Sequence, residues 1–137
     1  MIFAWSDKLS VGHPLIDAEH RCLIEIINRL AHALSEGFAS EIIGVILCDL
    51  SEYCAHHFEH EEREMMRLRY SDYPRHKAQH DIFIQQLSEL VYRFESQQQG
   101  LSRDTLALLT SWLTEHITVE DRKLARLLTD DAAARMR

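Results

Sequence analysis

His57 and Glu61 stand four residues apart on a stripe otherwise traced by Ile42, Val45, Ile46, Leu50, Tyr53, Cys54 and Met65. That spacing reads as an amphipathic helix with its apolar side toward a core. A carboxylate on such a side is costly unless something pairs with it. Three other stripes answer it. His20 lies on the run Ile16, Leu23, Ile24, Ile27, Ala31 and Leu34. His76 and His80, again four apart, precede Phe83, Ile84, Leu87, Val91 and Phe94. His116 sits among Leu106, Leu109, Leu113, Ile117, Leu124 and Leu128, with Asp121 five residues after it. Imidazoles and carboxylates delivered to the core from four segments point to a shared metal site. Four such helices with short connections predict an all-α fold, an antiparallel up-down-up-down four-helix bundle.

The punctuation between stripes fits that count. Residues 1 to about 14 read as an extended arm, with Gly12 and Pro14 marking a turn and Phe3 and Trp5 packing the arm on the body. Asp17 is the expected N-cap of the first helix and Gly37 its stop. Ser40 is the expected cap of the second helix. Ser71-Asp72-Tyr73-Pro74 breaks it and opens the third, since proline suits a first helical turn. Gln97-Gln98-Gln99-Gly100 reads as a polar exit, Ser102 as the next cap, and Asp104 as a first-turn acid favoured by the helix dipole. The bundle is expected over residues 1–128. Residues 129–137 have little to bury and read as a tail or the stub of a linker.

Composition narrows the function classes. The 137 residues suffice for one domain with a core. A net charge of -7 argues against a nucleic-acid partner, which leaves a basic footprint. No apolar run of membrane-spanning length is present, and the first residues lack the basic start and apolar core of a signal peptide, so a cytoplasmic protein is expected. Cys22, Cys48 and Cys54 form no CxxC pair and sit among apolar neighbours, where buried thiols are expected. Nine histidines in so short a chain are the compositional anomaly.

The spacing carries coordination chemistry. Residues four apart on a helix differ by about 40° and point the same way. His57 with Glu61, and His76 with His80, are therefore pincers aimed at the bundle axis. His116 and Asp121 differ by about 140° on an ideal helix, which serves only if the carboxylate reaches a second metal or the helix is locally distorted. Five imidazoles and two carboxylates exceed the four ligands of a tetrahedral zinc. They suit two octahedral ions bridged by the carboxylates, completed by a small oxo or hydroxo group. Imidazole suits iron, zinc and copper; adding carboxylates without thiolate points to iron.

The segments Val11-Gly12, Ile16-Asp17 and His20, then His57-Phe58-x-x-Glu61-Glu62, His76-x-x-x-His80 and Trp112-Leu113-x-x-His116-Ile117-x-x-x-Asp121, resemble the hemerythrin family, in particular its single-domain bacterial branch. The resemblance covers about residues 3 to 128, and all seven ligand positions carry the expected residue type. It implies that His76, His80 and His116 hold a coordinatively saturated iron, and that His20 and His57 hold an iron with an open position. Glu61 and Asp121 would bridge them. It further implies reversible binding of O2 at a non-heme, carboxylate-bridged diiron centre with an oxo or hydroxo bridge, in an oxygen carrier, store or delivery protein. Leu23, Ile24, Leu113 and Ile117 neighbour the ligands and are the expected lining of the O2 pocket, with Leu113 governing access.

Other residues carry blander expectations. His32, His56 and His60 are expected at solvent or at helix flanks, and His13 at the surface. Phe58, Glu59 and His60 are spacers, with Phe58 packed at the flank. Met65, Met66 and Tyr70 read as packing at a helix end, and Arg63, Arg67 and Arg69 as a solvated face. Two functions compete with an O2 carrier. One is the O2- or redox-sensing N-terminal domain of a signalling protein. The other is an enzyme that reduces peroxide or handles nitric oxide, which would ask for proton donors beside the open iron. The first and last helices look apolar there, so no turnover is expected. The chain is expected to be a monomer, with O2 as ligand and an effector domain or an O2-using enzyme as partner.

Overall fold

The computed structural model describes residues 3–96 and 101–136, so the expected turn at Gln97–Gly100 lies outside the described residues. Four helical rods form an all-α bundle, and no strand occurs among the described residues. They are α1 (Pro14–Ser35), α2 (Ser40–Arg67), α3 (Tyr73–Glu95) and a last rod in three pieces. Those pieces are α4 (Arg103–Glu115), a π-helical turn (His116–Asp121) and α5 (Arg122–Arg135). No helix among the described residues is long and apolar enough to cross a membrane.

The arm is pinned as its aromatic residues suggest. Phe3 is buried, its N–H donates to Asn28 Oδ1 (3.0 Å), and Asn28 Nδ2 donates back to its carbonyl (2.6 Å). The Arg21 guanidinium sits 4.5 Å above the Trp5 ring. The arm is not wholly extended, since Asp7–Leu9 form a 3-10 turn.

Capping departs from expectation at two helix starts. His13, not Asp17, caps α1: its Nδ1 accepts from Ile16 N–H at 3.2 Å, with Pro14 behind it. Asp17 lies in the first turn, where its carboxylate accepts from Ser10 Oγ (2.6 Å) and Val11 N–H (2.9 Å), tying the arm to the helix. Ser40 is the first residue of α2 rather than its cap, which is Ala39. The other expected caps are present. Gly37 ends α1 at φ +67 while Phe38 N–H reaches back to the Ala33 carbonyl (2.9 Å), the left-handed closure that glycine allows. Ser102 Oγ accepts from Thr105 N–H at 3.1 Å, and Pro74 sits in the first turn of α3.

The core is the inward side of all four rods. Leu23, Ile27, Leu30, Leu47, Leu50, Leu87, Leu106 and Leu113 are among its fully buried members. On α2 the buried stripe runs through Ile43, Ile46, Leu47 and Leu50, so Ile42 and Val45, expected inside, face solvent at 49% and 61% exposure. Phe58 is core rather than flank, at 2%. Of the cysteines, Cys54 is buried, Cys48 is half-buried and Cys22 is exposed, against the expectation of three buried thiols. The segment after Leu128 continues as helix to Arg135, and Asp131 accepts from Arg67 Nη1 at 3.0 Å.

Candidate metal centre

All seven residues singled out by spacing meet in one place. His20, His57, Glu61, His76, His80, His116 and Asp121 are each no more than 3% exposed. Their donor atoms fall into two overlapping groups, each within 4.8 Å of one another. One contains Glu61, His76, His80, His116 and Asp121; the other contains His20, His57, Glu61 and Asp121. The two carboxylates belong to both.

The π turn makes this possible. A regular helix would hold His116 and Asp121 about 140° apart, whereas a π turn, hydrogen-bonded i→i+5 and wider than an α turn, brings residues five apart back toward one face. His116 Nε2 accordingly lies 3.1 Å from Asp121 Oδ1. The local distortion that the spacing required is present.

Contacts across the bundle complete the pattern. Asp121 Oδ2 lies 2.9 Å from His20 Nε2, and Oδ1 lies 3.1 Å from His76 Nε2. Glu61 Oε2 lies 3.0 Å from His57 Nε2, and Oε1 lies 3.0 Å from His80 Nε2 and 3.4 Å from His76 Nε2. Yet both Glu61 oxygens and His57 Nε2 lack a partner in hydrogen-bonding geometry. Their lone pairs converge on shared space instead of on each other.

The outer nitrogens assign the tautomer of three of the five rings. His57 Nδ1 lies 2.7 Å from Glu19 Oε1, His80 Nδ1 2.9 Å from Glu62 Oε2, and His116 Nδ1 3.0 Å from Gln79 Oε1. A proton on each Nδ1 satisfies these acceptors and leaves each Nε2 a bare lone pair. His80 Nε2 and His116 Nε2 then face one another at 3.0 Å. Two lone pairs in a buried site repel unless a cation lies between them. The donor set therefore fits a metal.

Electrostatics point the same way. Burial works against the charged form of His57, but Glu61 and the bond to Glu19 raise it to about 10. Burial likewise opposes His76, while Asp121 and Glu61 raise it to about 9. Burial would lift Glu61 and Asp121, and the surrounding imidazoles hold both well below the usual carboxylate range. The buried carboxylates call for positive charge, and without a metal the rings must supply it.

Several residues outside the seven act on the ligands. Glu19, Glu62 and Gln79 each neighbour a ligand in sequence, so they point about 100° around the helix from it, and only the packing of the next rod makes them its partners. Phe58 stacks on His80 (4.0 Å between centroids, 5° between planes), and Trp112 stacks on His116 (4.7 Å, 10°). Trp112 precedes His116 by four, a spacing that brings side chains together and was legible. His60, expected at a flank, is half-buried and shares the Glu19 carboxylate with His57, its Nδ1 3.0 Å from Oε1.

Residues 11–128 match the Hemerythrin HHE cation binding domain. The chain belongs to the hemerythrin family. Among its hemerythrin relatives is a bacteriohemerythrin of Stenotrophomonas maltophilia, 30% identical over 124 residues, covering 90% of this chain and 80% of that one. A myohemerythrin of Riftia pachyptila is 30% identical over 121 residues, covering 88% and 89%. The crystal structure of a wild-type hemerythrin superposes with a TM-score of 0.87 at 26% identity, covering 92% of this chain and 97% of that one. The bundle of this hemerythrin-family chain is thus shared with its relatives along nearly its whole length.

Proposed function

We propose that the seven buried side chains hold two iron ions and that the chain binds O2 reversibly, as a carrier, store or delivery protein. The observation that carries this reading is the sharing of Glu61 and Asp121 between two donor groups of unequal size. His76, His80 and His116 with the two carboxylates offer five donors to one ion; His20 and His57 with the same carboxylates offer four to the other. One added oxo or hydroxo bridge would fill octahedral coordination at the first and leave a place free at the second. When bound, such an iron pair supplies the electrons and the open position that let O2 attach and leave.

The chain's own residues hold and shield. Glu19, Glu62 and Gln79 orient three imidazoles through their outer nitrogens, which fixes ring planes and raises ligand basicity. Leu23, Ile24, Leu113 and Ile117, all at 3% exposure or less, stand on α1 and the last rod beside His20 and His116. They offer no proton and leave no room for bulk water, which suits binding without turnover. An enzyme reducing peroxide would need a proton donor that these four side chains lack.

Metal analysis and O2 uptake test the reading together. Protein from iron-replete cells is expected to carry two irons per chain and to take up one O2 per pair once reduced. Full occupancy by zinc, or catalytic consumption of peroxide in place of O2 binding, would overturn it.

A further inference from the structure

One candidate ligand reaches a surface cavity. A depression of about 260 Å³ is lined by Gln79, Trp112, Glu115, His116, Val119 and Glu120. His116, a metal-ligating candidate, forms part of its wall. The His116 ring lies flat on the Trp112 indole, and Trp112 stacks in turn on Phe83 at 4.3 Å and 19°. Trp112 is half-buried, with part of the indole against the core and part forming the cavity wall. The ring column Phe83–Trp112–His116 therefore meets the depression at Trp112 and His116, since Phe83 at its other end is buried. The other ring stacked on a ligand, Phe58 on His80, is 2% exposed and ends inside the protein.

We propose that this depression is the electron-entry site, at which a planar donor of the reduced-flavin class rests its ring edge on Trp112 and passes electrons through Trp112 and His116 to the iron pair. The inference rests on the diiron reading above. Each ferric ion takes one electron and becomes ferrous. One reduced flavin gives two electrons in successive single steps, loses its protons to solvent and leaves oxidised, so one donor restores one pair. The cavity is smaller than the roughly 300 Å³ at which pockets begin to bury a small ligand. It suits a brief edge contact, the kind of small interface that redox encounters use. Arg75 binds Glu120 at 2.8 Å, while Glu115 is exposed at the rim. Together with the net charge of -7 this disfavours anionic donors, so neutral riboflavin is expected to outpace its phosphate at low salt.

The test is anaerobic stopped-flow reduction of the iron-loaded, diferric chain by photoreduced riboflavin. W112L, which removes the ring, is expected to slow reduction by about tenfold or more at unchanged iron content. W112F keeps a smaller ring and is expected to slow reduction less than W112L does. V119R fills the mouth of the depression without touching the ring column and is expected to slow reduction as well. I42K, a surface control on α2, is expected to change nothing. A second readout needs no redox chemistry: in the zinc-loaded W5F chain, oxidised riboflavin is expected to quench Trp112 emission, and V119R to abolish that quenching. Wild-type reduction rates in both W112L and V119R with iron present, or no quenching in the W5F chain, would overturn the entry site alone. Failure of the wild-type chain to bind iron would overturn the diiron reading instead. If W112L does not fold, V119R decides.

Discussion

Glu19 receives Nδ1 of both His57 and His60, and those bonds, set against its own burial, hold its carboxyl at about 2. Its partner His57 is raised from 6.5 to about 10 in the metal-free chain, and His76 to about 9. A raised histidine contributes its full stabilisation below pH 6.5 and loses it as pH climbs through its folded value. Metal must displace those same protons. Metal uptake is therefore expected to release protons, with apparent affinity rising as pH climbs toward about 10; titrations at several pH values with a proton indicator check this, and a flat profile contradicts it. Glu19→Gln keeps the shape but not the charge, and is expected to weaken metal affinity by about 10- to 100-fold in competition with a chelator. The ligands were legible in the sequence because a histidine or carboxylate repeated one turn apart on an apolar stripe is too costly to bury without a shared partner. Glu19, Glu62 and Gln79 were not, because each acts across to another rod. Cys22 is exposed against expectation for a related reason: apolar neighbours in sequence are not neighbours in space.

At the scale of elements, the last rod shows where reading by period stops. A period of 3.6 assigns Leu106, Leu109, Leu113, Ile117, Leu124 and Leu128 to the buried side, and all six are buried. The same period places Asp121 away from His116, and the π turn overrides it. The Thr118 hydroxyl donates to the Thr114 carbonyl at 2.8 Å, a back-bond of the kind that bends helices, but threonine is too common for that to have marked the turn in advance. Helix ends were legible where backbone conformation decides them, as at Gly37, and less so where a side chain does, as at His13. Gly37→Ala is expected to cost about 1 kcal/mol through its φ of +67 alone, because nothing lies within 4 Å of an added Cβ. Ser102→Ala is expected to cost about 1 kcal/mol by loss of the bond to Thr105 N–H. Chemical denaturation of the metal-loaded chain reads both.

For the whole molecule, the fold and the metal are one problem. Five imidazoles and two carboxylates fill the middle of the core, where a leucine-filled bundle would place apolar side chains. The metal-free chain is thus a bundle with a polar interior, stabilised by protonated rings against carboxylates. Removing iron is expected to lower the thermal midpoint, and a ligand at about a hundred times its dissociation constant contributes about 2.7 kcal/mol. His57→Ala and Glu61→Ala are expected to bring iron below two per chain and to reduce stability with it. An unchanged midpoint after chelation would mean that the core does not depend on the metal. The central claim is that the iron pair gains and releases O2 without lasting oxidation. The direct measurement is the visible spectrum of the reduced, iron-loaded chain as O2 is admitted and then removed. A new charge-transfer band that appears with O2 and vanishes on its removal, through repeated cycles, is the predicted result. A spectrum that passes within one cycle to the diferric form and stays there would contradict it.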